Sequence, residues 1–171
     1  MSQILVRPAE ASDVDLLARW AVAMAEETEG RALAEETVRR GIALGIADPA
    51  RARYFVALSS DAYGGAEVVR IPVGTLMLTR EWSDWRCGDW WWIQSVYVAP
   101  DHRRRGVFRA LYAHVEDAAR ADPQVCGLRL YVEKHNAAAQ ATYASLGMGD
   151  AGYAMYEVEM KRDSGLGNRD R

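Results

Sequence analysis

The densest chemical signal in the chain is the run His102-Arg103-Arg104-Arg105-Gly106. Three guanidiniums ahead of a glycine, where an apolar strand pattern gives way to a helical one, describe an anion trap. The first helical turn carries N–H groups with no partner inside the helix, and the helix dipole adds positive potential there. Gly106 has no β-carbon, so backbone and phosphate can approach closely, while Arg103, Arg104 and Arg105 can add charge-assisted contacts to a pyrophosphate or a ribose phosphate. The plainer reading of the same residues is a solvated basic loop capping a helix.

Other groups could do chemistry elsewhere. Carboxylates able to accept a proton are Glu26, Glu27 and Glu29 in Glu-Glu-Thr-Glu-Gly, Glu81 and Asp84 near a strand end, and Glu133; spacing singles out none of them. Gln94 carries an amide, which takes no proton at neutral pH and suits orienting a water or a substrate. Trp82 and Trp85, in Glu-Trp-Ser-Asp-Trp-Arg, read as a loop that with Glu26, Glu27 and Glu29 could wall an acidic, aromatic pocket for a cationic amine. Against that stands a hydrophobic lid or a dimer contact, and a homodimer on edge strands or these aromatics is a reasonable assembly. Cys87 and Cys126 match no zinc or redox spacing and read as reduced packing thiols, so no metal is expected. An acyl-cysteine on Cys87 has no histidine near in sequence to activate it.

These groups must be positioned by regular elements. Ile4 to Arg7 reads as a strand, and Ser12 with Asp15 as a capping box opening a helix with Val14, Leu17, Ala18 and Ala21 on one face. A second helix is predicted over about Ala34 to Ile46. Tyr54 to Leu58 is an apolar strand, Asp61 to Gly65 a turn, and Val68 to Thr79 an extended stretch whose Pro72 suits an edge or a break. Trp90 to Val98, stopped by Ala99-Pro100, is a buried strand that sends Trp90 and Trp92 to one face and Trp91 to the other. Apolar spacing from Val107 through Val115 to Ala119 predicts a helix, and Gly127 to Val132 another strand. Asn136 can cap a helix carrying Ala139, Tyr143 and Leu146, with Gly147 at its stop, and Tyr153 to Met160 supplies a last strand. This order gives an α+β, or mixed α/β, domain: a mostly antiparallel mixed sheet of six to seven strands with about four helices on its two faces.

Arg103-x-x-Gly106 at the head of one helix, followed by Leu130-Tyr131-Val132, Asn136, Ala139, Tyr143 and Leu146-Gly147-Met148, resembles the GCN5-related N-acetyltransferase (GNAT) superfamily. The likeness is centred on Trp90 to Met148 and extends over most of the chain. It implies acetyl-CoA as cosubstrate and direct transfer of an acetyl group to a primary amine through a tetrahedral intermediate. It implies that Val96, Tyr97 and Val98 pair with the pantetheine arm and lend an N–H to the thioester carbonyl. Arg103, Arg104, Arg105, Gly106, Val107, Phe108 and Arg109 match the pyrophosphate loop. Asn136 matches a residue near the pantetheine, and Tyr143 the general acid beside the sulfur. The family's usual Gly or Ala at the end of its phosphate motif is here Phe108, whose bulky ring must turn into the core or reshape the cofactor path. Seven residues are about two helical turns, so Asn136 and Tyr143 share a face roughly 10 Å apart along the axis.

Bulk composition narrows the classes. The 171 residues, half of them hydrophobic, suit one domain, taken as residues 1–161 with a disordered polar tail at 162–171. No apolar run approaches the roughly 20 residues of a membrane span, and the start has no secretory pattern, so a cytoplasmic protein without a membrane partner is expected. A net charge of −3 with one basic cluster argues against a nucleic-acid partner, which needs several separated cations. The acceptor is expected to be a small-molecule or peptide amine. The rival to an enzyme is a non-catalytic acetyl-CoA-binding sensor or interaction module.

Overall fold

β-branched and aromatic runs separated by polar turns form a five-stranded sheet in the computed structural model, which describes residues 4–60, 69–158 and 160. Its strands are Ile4–Pro8 (β1), Arg53–Ser60 (β2), Arg70–Ser83 (β3), Gly88–Val98 (β4) and Val125–Leu130 (β5), hydrogen-bonded in sequence order. The first four are antiparallel, and β5 joins β4 in parallel after a helical crossover. The helices are Val14–Glu29 (α1), Glu35–Ala47 (α2), Val107–Ala121 (α3) and Ala137–Ser145 (α4). The described chain divides into two compact units, residues 1–131 and 132–171.

In the first unit the sheet separates two cores. Val14, Leu17 and Ala18 of α1 and Ile42 of α2 pack on Val56 and Leu58 of β2. On the opposite face α3 lays down Val107, Leu111 and Val115, all buried. Gly74 of β3 sets how closely α3 can approach. A β-carbon there would lie 2.9 Å from both the Val107 side chain and the Tyr97 carbonyl oxygen. Full burial of a residue such as Leu111 is worth about 2 kcal/mol from water exclusion alone.

Two of the three register shifts among the described strands bear on the site. One, between Ala57 and Leu58, falls opposite the Pro72 segment, so the proline sits at a break inside the sheet rather than on an edge. The other lies on β4: Leu78 pairs with Ile93 and Met77 with Ser95, leaving Gln94 as the extra residue. Strict alternation would place Ser95 and Tyr97 with Ile93, toward α3. The extra residue turns both to the α1–α2 face.

Five strands, not six to seven, are present among the described residues. No strand forms over Tyr153 to Val158, where Tyr153, Met155, Tyr156 and Val158 are all exposed. A run of apolar residues gains strand geometry only when it buries a face, and this one buries none. The expected capping box at Ser12 and Asp15 also moves. Glu10 and Asp13 form it, with Asp13 Oδ2 accepting the Glu10 N–H at 2.8 Å, while Asp15 pairs with Arg39 at 2.6 Å. The turn expected at Asp61 to Gly65 and the tail at 162–171 lie outside the described residues.

The second unit is built around α4. Asn136 Oδ1 accepts the Ala139 N–H at 3.0 Å as its cap. Its end is a Schellman arrangement in which Gly147, at φ +82°, donates to Ala144 and Met148 donates to Tyr143.

Candidate active site

The strand β4 delivers Val96, Tyr97 and Val98 to the basic loop, and the helix α3 begins directly beyond it. β5 accompanies β4 only from Asp89 to Ile93, so the edge of β4 facing away from β3 loses its strand partner from Gln94 onward. Arg104, at φ +63°, and Gly106, at φ +83°, wind the loop tightly into the helix. The α3 ladder starts with Ala110 donating to Gly106 at 3.0 Å, so the first turn of the helix opens at that glycine. A β-carbon on Gly106 would meet nothing within 4 Å, so space over this helix start is open. Arg104, Arg105 and Arg109 are exposed, and Val107 anchors the turn into the core. Phe108 is half-buried, its ring 6.1 Å from that of Tyr112 one turn on, so its bulk lies along α3.

Arg103 has a different set of partners. Its Nε donates to the Val98 carbonyl at 3.0 Å, its Nη2 donates to Glu27 at 2.5 Å, and its guanidinium stands 5.7 Å from the Tyr97 ring. It ties the loop to both the strand end and the end of α1. Tyr97 is buried and packs 5.7 Å from Trp20 of α1. Burial, chiefly, and the Glu27 charge push its phenol above the ordinary range.

The faces of α1 and α2 flank a half-open cavity of about 230 Å³ against the sheet. Leu17 and Met24 of α1, Val38 and Ile42 of α2, and Met77 of β3 give it an apolar wall. Hydroxyls come from Tyr54, Thr75, Ser95 and Tyr97, of which Thr75 is spent on the Phe55 carbonyl at 2.8 Å. Sequence patterning did not find this cavity. The Gln94 bulge that turns Ser95 and Tyr97 into it leaves no signature in residue type.

The glutamates and tryptophans expected to share a pocket are apart. Glu27 lies beside Arg103, with Glu26 and Glu29 exposed nearby on α1 and Glu29 within 3.7 Å of Arg31. Trp82 pairs across from Asp89, at the other end of β4, about 30 Å from Val98 along the strand. Trp82 and Trp85 are 62% and 87% exposed there, with Asp84 and Cys87 in the same turn. The physical cause is the length of the β3–β4 hairpin, which carries its turn away from α1. Gln94 stays exposed at the bulge, its Nε2 donating to Thr79 Oγ1 at 2.8 Å.

Glu81 is engaged twice. It accepts from Trp92 Nε1 and, at 2.7 Å, from Arg129, whose guanidinium also covers Trp90 at 4.1 Å. Trp92 in turn stacks on Tyr131 at 4.3 Å. A carboxylate so held serves as an acceptor of fixed hydrogen bonds rather than as a free base. In the second unit Glu133 accepts the His135 N–H at 2.8 Å, and Tyr143 is half-buried, its phenol raised by desolvation. Asn136 spends its side-chain oxygen on the α4 cap. Among the described residues no group of three or more metal-ligating side chains occurs, and no helix is long and apolar enough to cross a membrane.

The sequence matches the Acetyltransferase (GNAT) family over residues 15–148. The chain belongs to that family. The solved structure of a possible acetyltransferase from Clostridium difficile 630 is 38% identical, with 93% of this chain and 99% of that one aligned and a TM-score of 0.81. More distant relatives share the fold. A ribosomal-protein-alanine N-acetyltransferase from Brucella melitensis biovar Abortus 2308 aligns over 92% of this chain and 100% of its own at 16% identity and TM-score 0.66. An aminoglycoside N-acetyltransferase in complex with CoA aligns over 93% and 96% at 12% identity and TM-score 0.71. No curated protein matches the sequence. Within this GNAT acetyltransferase the loop at Arg103 to Arg109 falls where β4 ends and α3 begins, as the sequence motif requires.

Proposed function

We propose that this GNAT protein is an N-acetyltransferase that moves an acetyl group from acetyl-CoA to a primary amine of a small molecule or peptide. The observation that carries the reading is the β5-side edge of β4, which among the described residues has no strand partner from Gln94 to Val98 and leads through the basic loop to the open helix start at Gly106. An unpaired strand edge offers backbone groups to an extended amide-bearing arm, and a helix start offers N–H groups to phosphate. Those two features in series fit acetyl-CoA, which supplies the activated acetyl thioester.

Arg104, Arg105 and Arg109 are exposed around the phosphate end and would add charge. A backbone N–H within Val96 to Val98 would hold the acetyl oxygen, the kind of fixed donor that acts where negative charge develops. Tyr143 Oη is the proton donor to the leaving sulfur in this reading. Its raised pKa keeps it protonated at neutral pH, the form an acid must have. Asn136 holds the start of α4, two turns before Tyr143, and so positions the acid.

Thiol release from acetyl-CoA with a panel of primary amines, alongside calorimetric CoA binding, tests the proposal. Amine-dependent release with saturable CoA binding is expected. Tight binding without release on any amine would instead favour a sensor, and no binding would sink the reading.

A further inference from the structure

From the cavity between α1, α2 and the sheet, we infer that the acceptor is a primary amine on a short arm bearing one compact, neutral, apolar group, such as a phenyl ring or a branched aliphatic chain. The inference rests on the acetyltransferase reading above and specifies its acceptor.

Size is the first constraint. An engineered apolar cavity of about 150 Å³ holds a benzene ring. The half-open cavity here, about 230 Å³, has room for a single ring with a short arm. Lining chemistry is the second constraint. Leu17, Met24, Val38, Ile42 and Met77 present hydrocarbon and thioether, and among the described residues no carboxylate lines the space. A polyamine or another polycation placed there would lose hydration at several charges without a counter-ion. Glu27, whose charge reaches the Tyr97 phenol, is already paired with Arg103.

Position is the third constraint. Ser95 and Tyr97 wall the cavity, Tyr97 within the β4 segment proposed to hold the acetyl oxygen and Ser95 just before it. An apolar body seated between the helices points its amine at that strand. The same apolar wall favours the neutral amine over the ammonium, and the neutral form is the nucleophile. A strong side-chain base is then unnecessary for delivering it, which agrees with Glu81 being held by Arg129 and Glu27 by Arg103.

Gly41 of α2 gives a clean test. It lines the cavity, and a β-carbon built on it meets nothing within 4 Å, so a larger side chain can enter without displacing the core. Thiol-release kinetics would compare phenethylamine with spermidine on wild type and Gly41→Leu, with CoA binding by calorimetry and a thermal melt as controls. Expected are a kcat/KM for phenethylamine at least about tenfold above that for spermidine, and a rise of about tenfold in its KM in Gly41→Leu. CoA affinity and melting temperature in the variant should match wild type or exceed it. Spermidine used as well as phenethylamine, or an unchanged phenethylamine KM in the folded variant, overturns the inference and leaves the acetyltransferase standing. Loss of CoA binding by wild type would overturn both.

Discussion

Arg103 and Glu27 are joined by a hydrogen bond of 2.5 Å between residues 76 positions apart, linking the basic loop to the last turn of α1. The same guanidinium holds the Val98 carbonyl, so strand end, loop and helix end meet at one side chain. The pair is about half exposed, and such pairs contribute about 0–1 kcal/mol. Its effect is therefore expected on binding more than on stability. Glu27→Gln removes a negative charge beside the loop and should tighten CoA binding about two- to threefold at low salt. The gain should fade in about 0.5 M salt as screening shortens the reach of charge. Calorimetry at two salt concentrations checks it, and weaker binding at both would show that Glu27 is needed to hold Arg103 in place.

Gly74 fixes the distance between the sheet and α3, and the substitution Gly74→Ala would force a methyl to within 2.9 Å of Val107 and the Tyr97 carbonyl. Because one contact is the β4 backbone and the other the Val107 side chain, relief needs both the β3–β4 pairing and the start of α3 to shift. Overpacking of this kind costs about 1–3 kcal/mol. Urea unfolding should show that loss. CoA affinity should fall with it, since Val107 follows Gly106 directly. A stable variant that binds CoA normally would mean that the helix start is not positioned through this contact.

Much of this arrangement was legible in the sequence, and the reasons differ by element. Trp90 and Trp92 share a face opposite Trp91 because alternation over three residues needs no knowledge of partners. The start of α3 was legible because Gly106, at φ +83°, is a residue type chosen by backbone geometry. The bulge at Gln94 was not, since inserting one residue into a ladder is decided by pairing with Met77 and Leu78 rather than by side-chain type. Its consequence, the placing of Ser95 and Tyr97 in the cavity, was hidden with it. The grouping of Trp82 and Trp85 with Glu26, Glu27 and Glu29 failed because proximity in a list of polar and aromatic loops says nothing of the hairpin's length.

Asp13 provides a handle on acid stability. Hydrogen bonds from Arg7, at 2.7 and 2.9 Å, chiefly hold its carboxyl below the ordinary range, helped by the Glu10 N–H and opposed by burial. A carboxyl whose folded pKa lies below its unfolded value stabilises fully above about pH 4. That stabilisation is lost as pH falls through the folded value. Asp13→Asn should cost about 1–3 kcal/mol at pH 7 by leaving Arg7 poorly matched. The gap in melting temperature between variant and wild type should narrow as pH drops from neutral toward 3. A gap constant over that interval would assign the loss to packing instead of charge.

Tyr143 decides whether the proton-donor assignment is sound. Desolvation raises its phenol above the usual value near 10, so it stays protonated throughout the neutral and mildly alkaline range. An acid of this kind predicts no alkaline fall in kcat from Tyr143 below about pH 10. Tyr143→Phe retains the ring and removes only the hydroxyl. The expected result is a fall in kcat of about 10²- to 10⁴-fold with CoA affinity unchanged, the range for loss of one positioned acid. Equal losses in CoA affinity and rate would make the tyrosine a binding contact. A nearly unchanged kcat would hand proton donation to water, and the leaving thiolate, with a pKa of about 8.5, would then depart without help from this side chain.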